Sequence, residues 1–226
     1  MLATDPRRGL MTALLLGCLT GGHAARAQIL LYAQRLPEGT VYVRLVNALP
    51  GAASVQTDFA GTVALGADGA ARVSPYFVDQ KAGGKTVMLQ VSEGGRTMPA
   101  KFDAKSGSFV TVVLHEGGVA SVITDKPEFN QLKARLSFYN ATAACAGGSL
   151  ETAGQPVFSG MAANTGRARS INPVAAKVTA GCAAGKAPML DLGELQAGGL
   201  YSVWMMQAAG GVTSFVATDK IAPPQN

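Results

Sequence analysis

From residue 40 onward the apolar residues fall in short runs, and nowhere do they hold a 3.6-residue period over three turns. Thr40 to Ala48, Ala53 to Phe59, Lys85 to Ser92 and Ser108 to His115 are rich in Val, Thr, Phe and Tyr, with Pro50-Gly51, Ala82-Gly83-Gly84 and Gly94-Gly95 between them. Such runs between turn residues predict strands, with helix confined to a turn or two. In the first run Val41, Val43 and Leu45 alternate with Tyr42, Arg44 and Val46. The second set is only partly polar, which predicts a half-buried antiparallel strand whose outer face also meets something. Lys133 to Asn140, Val174 to Ala180, Leu200 to Gln207 and Val212 to Ala217 repeat the scheme, and Thr142 to Gly148 is small and flexible in composition.

The two sets of strands belong to a duplication. Phe109 to Lys126 and Tyr201 to Lys220 close on the same T-D-K, and Val43 to Ala48 (V-R-L-V-N-A) is answered by Leu136 to Ala141 (L-S-F-Y-N-A). A repeat of this length is a whole domain. Short strands at regular spacing in domains of about 90 residues predict an all-β chain of two tandem β-sandwiches, immunoglobulin-like or carbohydrate-module-like. The expected boundaries are 28–125 and 134–226, joined by a short linker at 126–133 that limits the mutual orientation of the domains without fusing them.

Residues 1–27 read as a signal peptide: Arg7-Arg8, an apolar run from Leu10 to Leu19, then Ala25-Arg26-Ala27 as a small-x-small cleavage site. The run is too short to span a bilayer. Leu15-Leu16-Gly17-Cys18 offers an alternative, lipidation of Cys18. Export implies a periplasmic protein whose Gln28 to Glu38 segment, with Leu30-Leu31-Tyr32, lies as an arm on the first domain.

Removing 27 of 226 residues leaves 199, and takes away three arginines and one aspartate, so the formal charge falls from +5 to +3. No run of five or six basic residues occurs, which argues against nucleic acid and allows contact with a polyanionic polymer. Cys145 and Cys182 are then the remaining cysteines, an even pair in an exported chain. A bridge between them closes a 37-residue loop. Two unpaired thiols are the alternative. Zinc is disfavoured, because two Cys and His115 fall short of four ligands, and no cofactor motif is present.

Catalysis is hard to place. His115 ends a strand at Glu116-Gly117-Gly118, reads as a solvated histidine without a recognisable nucleophile partner, and is answered in the second copy by Gln207; G-x-S-x-G and H-E-x-x-H are missing. Asp191 and Glu194 around Gly193 read as a solvated pair. Arg167 and Arg169, in R-A-R-S-I-N-P-V with Asn172, point the same way from an extended segment and form a candidate docking patch for a uronate or an acidic partner loop. The alternative is an edge strand that Arg solvates and Pro173 ends. Trp204 reads as the filling of a sandwich interior. Asn47 and Asn140 close equivalent strands, where each is expected to bond the backbone or turn it.

Leu31-Tyr32, Pro37 to Ala48 (P-E-G-T-V-Y-V-R-L-V-N-A) and Arg169 to Val174 (R-S-I-N-P-V) resemble the alginate biosynthesis protein AlgF family, accessory proteins of exopolysaccharide O-acetylation whose relatives also occur with cellulose acetylation systems. The resemblance implies a two-domain β-sandwich adaptor without enzymatic activity. Its partners would be periplasmic and membrane-anchored O-acetyltransferase subunits, with the exopolysaccharide as a further candidate. A Cys145–Cys182 bridge is not associated with that family. A secreted carbohydrate-binding module and a generic immunoglobulin-like repeat protein are the other classes that fit.

Overall fold

A computed structural model describes residues 38–126, 130–143, 145–208 and 210–223. The expected signal peptide, the Leu30-Leu31-Tyr32 arm and Pro127 to Phe129 of the expected linker lie outside the described residues.

The first half forms β1 (Val41–Asn47), β2 (Ala53–Thr57), β3 (Gly61–Leu65), β4 (Phe77–Asp79), β5 (Lys85–Glu93), β6 (Arg96–Ala104), β7 (Phe109–His115) and β8 (Val119–Asp125). They make two four-stranded sheets, in the orders β4-β1-β7-β8 and β3-β2-β5-β6. The second half forms β9 (Ala134–Asn140), β10 (Gly148–Thr152), β11 (Gln155–Met161), β12 (Thr165–Ile171), β13 (Val174–Cys182), β14 (Gly185–Lys186), β15 (Leu190–Leu195), β16 (Leu200–Ala208) and β17 (Gly211–Thr218). Its sheets are β12-β9-β16-β17 and β11-β10-β13, with β14 and β15 both pairing with β13. The eight-strand plan of the first half recurs in the second, with β14 and β15 together in the place of β6, and the chain is the pair of β-sandwiches that the patterning predicts.

Alternation sets each core. In β5, Val87, Leu89 and Val91 point inward between exposed neighbours, and they meet Val43, Leu45, Val112 and Leu114 from the facing sheet. Leu136, Phe138, Val203 and Met205 play the same part against Leu150, Val178 and Ala180 in the second sandwich. Cys145, after β9, and Cys182, at the end of β13, form a disulfide with Cα atoms 5.9 Å apart. It ties the two sheets of the second sandwich together, and the first has no counterpart.

Three strand-level expectations need correction. β1 runs antiparallel to β4 but parallel to β7, as β9 does to β16, because its other neighbour arrives after a long excursion through the second sheet. Asn47 lies opposite Leu114 and Asn140 opposite Met205, so the residue answering His115 is Met206, not Gln207. The additional residues of the second copy are taken up in the β16–β17 hairpin. Strands β3, β6, β8, β10, β11 and β15 went unpredicted, since Gly, Ala and Pro99 or Pro156 dilute their apolar alternation, as did β4 and β14, which at three and two residues are too short to show one.

The halves are more than beads on a linker. A third apolar cluster joins Val46, Val113 and Ile123 of the first half to Tyr139, Trp204, Met206 and Phe215 of the second. The four sheets are therefore stacked in series, with β4-β1-β7-β8 and β12-β9-β16-β17 packed back to back. Trp204 is fully buried, but between the sandwiches and not inside one. The outer face of β1, expected to meet something, meets the second sandwich. Tight fit is visible at Gly166, where a Cβ would come 2.5 Å from the Tyr139 ring.

Candidate functional site

The duplication is legible atom by atom where the strands end. Asn47 donates through Nδ2 to the carbonyls of Gly51 and Gly66 while its Oδ1 accepts from Leu49 N–H; Asn140 donates to the carbonyls of Cys145 and Met161 while its Oδ1 accepts from Thr142. Both close a strand by bonding the backbone, as expected, and neither adopts a left-handed conformation. The T-D-K aspartates are matched too. Thr111 donates to Asp125 at 2.6 Å, and Ser202, its counterpart, donates to Asp219 at 2.6 Å.

Between these aspartates lies Arg44, fully buried at the centre of the interface. Its Nη1 donates to Asp219 Oδ1 at 2.6 Å, its Nε and Nη2 to Thr111 Oγ1 at 3.1 and 3.0 Å, and Nη2 is 3.7 Å from Asp125 Oδ2. The guanidinium lies 4.5 Å from the Tyr76 ring centroid and 5.0 Å from those of Tyr139 and Trp204. Tyr76 and Tyr139 also donate to Asp125, at 2.8 and 2.5 Å. Burial by itself disfavours the charge, but Tyr139, Tyr76, Asp219 and Asp125 more than offset it and raise the pKa, so Arg44 stays protonated. The tyrosines shift upward, chiefly through burial against the opposing pull of Arg44. Sequence reading missed this centre. The signal was an arginine in a strand whose other outward residues, Tyr42 and Val46, are apolar enough to be covered.

A groove of about 650 Å³ opens beside that interface. It runs along β12 at Gly166 to Arg169, past Val157 to Ser159 of β11, and reaches Thr124 to Lys126, Arg135 and Tyr139. Arg167 and Arg169 both line it, exposed, from an edge strand that among the described residues pairs with β9 alone. Arg169 lies 5.5 Å over the Phe158 ring. Asn172 is exposed beyond the end of β12 and does not line the groove. Pairing with β9 stops at Ile171, two residues before Pro173.

His115 is less solitary than its sequence context implied. It ends β7 half-buried, and its Nε2 is 3.1 Å from Ser121 Oγ. Burial lowers its pKa, and the side chain of Asn164 from the second sandwich opposes that shift. Neither His115 nor Ser121 lines the groove. Asp191 is exposed and paired at 3.7 Å with the equally exposed Lys177, and Glu194 is exposed, as a solvated pair should be. Among the described residues, no group of three or more His, Cys, Asp or Glu could hold a metal ion, and no helix is long and apolar enough to cross a membrane.

Fold and site define a class: a duplicated β-sandwich protein whose halves are locked through a buried arginine and share a cationic groove. The chain belongs to the AlgF family, described as alginate O-acetyl transferase AlgF, whose model matches residues 13–200. It is a protein of alginate O-acetylation. The match ends at the first residue of β16, so Trp204 and Asp219 fall outside it. No curated protein matches the chain.

Proposed function

We propose that this chain is a non-catalytic adaptor of alginate O-acetylation, exported to the periplasm by a cleaved signal peptide. There it holds membrane-anchored and periplasmic acetyltransferase subunits in register. The observation that carries the reading is the Arg44 interface, which makes one rigid four-sheet body of two small domains and so presents surfaces from both at fixed spacing. Acyl transfer needs a nucleophile, a base, an orienting group and oxyanion donors around a space for substrate. The described residues offer a hydroxyl–imidazole pair on one hairpin, outside the groove. A wider assignment of boundaries, 28–125 and 134–226 about a linker at 126–133, goes with this reading.

A catalytic reading has one specific observation in its favour, the Ser121–His115 contact, with an imidazole that burial keeps neutral near pH 7. One experiment separates the two. In a producing strain lacking the gene, the wild-type chain should restore polymer acetyl content, and the Ser121→Ala/His115→Ala double variant should restore it equally. Acetyl content that drops to the level of the deletion, with the double variant folded and exported, would replace the adaptor by an enzyme.

A further inference from the structure

Sheet edges are normally defended, and several edges of this molecule are; the long β17 edge, in unbroken register with β16, carries no basic side chain. β4 has three residues, β6 carries Pro99, and β11 carries Pro156 and two register shifts against β10. β12 is different: seven residues pair with β9 in unbroken register, no proline or bulge interrupts them, and the other side pairs with no strand among the described residues. β8, the other long unbroken edge bordering the groove, carries no basic side chain.

The open edge of β12 lies along the groove with Arg167 and Arg169 on one face, and Lys126 and Arg135 are further cations on the lining. The acid among the described lining residues is Asp125, already held by Thr111, Tyr76 and Tyr139. Residues i and i+2 of a strand are about 7 Å apart, so carboxylates at alternate positions of an added strand would meet the two guanidinium groups in turn. A sugar chain is a poorer fit. The aromatic rings on the lining, Tyr139 and Phe158, are 1% and 8% exposed, which leaves no open ring face to stack on, while a strand edge offers peptide backbone groups.

We infer that β12 captures an acidic, extended segment of a partner protein as a fifth strand of the β12-β9-β16-β17 sheet. This rests on the adaptor reading and names the surface and the partner chemistry it would use. Edge arginines then act as a filter, because they repel basic strands and a second copy of β12, and accept acidic ones.

The test uses the full exported chain and a fluorescent ten-residue peptide alternating glutamate and threonine, beside a lysine–threonine counterpart and an oligomer of uronic acid. The glutamate peptide should bind, slow amide exchange along β12, and bind at least about tenfold more weakly to Arg167→Glu/Arg169→Glu. The lysine peptide should not bind. Thermal unfolding of the double variant should match wild type; if it does not fold, Arg167→Gln/Arg169→Gln takes its place. No binding of the glutamate peptide, binding indifferent to the arginines, or protection on another strand overturns the inference. Binding of the uronate oligomer alone, lost in the double variant, overturns it in favour of a polymer site. The adaptor reading fails separately, through the acetyl content of the Ser121→Ala/His115→Ala strain, and survives if only β12 is silent.

Discussion

Arg44 and Ser137 occupy the same place in the two copies, three residues before the strand-closing asparagines, and their environments are opposite. Arg44 satisfies itself on Asp219 and Thr111 against three aromatic rings, whereas Ser137 is buried with its Oγ unpartnered among the described residues. The aspartates differ in the same sense. Asp125 accepts from two tyrosines and a threonine, while Asp219 binds Arg44 and Ser202 and, among the described residues, keeps Oδ2 without a partner. Two identical faces brought together would place two arginines in one dry space, and like charges there repel without screening. A duplicated pair can therefore pack back to back only after one copy gives up its cation. The asymmetry is what makes the interface specific.

Removing the cation should have the largest effect. Arg44→Met leaves Asp219 and Asp125 buried beside an apolar side chain, and breaking a buried pair in this way costs about 3–5 kcal/mol. Trp204 is the single tryptophan and lies in this interface, so its fluorescence reports opening directly. Urea unfolding followed at Trp204 should shift to a much lower midpoint, with Arg44→Lys in between. A midpoint unchanged by Arg44→Met would show that apolar packing alone joins the halves.

The disulfide separates the copies in another way. In the chain-entropy model a bridge closing a 37-residue loop contributes about 3 to 4 kcal/mol. Cys145→Ala/Cys182→Ala should lower the stability of the second sandwich by up to that amount. Amide exchange should quicken in β10 and β13 before it does in β2 and β5. Uniform loosening of both sandwiches would mean that the interface makes them a single cooperative unit.

The smallest effect is that of pH on His115. Burial holds its folded pKa below the ordinary value of 6.5, so the unfolded chain binds the proton more readily. Its contribution is fully present above pH 6.5 and is lost as pH falls from there through the folded value. Stability measured between pH 7.5 and 5 should decline in the wild type and decline less in His115→Gln. Equal slopes would assign the pH dependence elsewhere.

Much of the fold was written in local pattern. Alternation was plain in β5, which has one face in a core and the other in water, whereas β1, β7 and β9 read as apolar runs because both their faces are covered; the answering V-R-L-V-N-A and L-S-F-Y-N-A and the repeated T-D-K announced two copies of one domain. The disulfide followed from an even cysteine pair, and the edge character of β12 from its arginines and Pro173. Weak strands such as β3 and β10 stayed hidden, since small residues in them are ordered by neighbours and not by their own preference.

By itself, the sequence determined how many sandwiches there are, which face of β1 turns inward, and where the arginines of β12 point relative to each other. Those are consequences of a two-residue period and covalent order, which act within a few residues. Tertiary structure alone decided that the outer faces of β1 and β16 meet, that Arg44 reaches Asp219 across 175 positions, and that Trp204 lies between domains. An outward arginine reads the same whether water or another sheet covers it. Its partners are set by which whole surfaces come together, through burial summed over many side chains, and no local pattern encodes that sum.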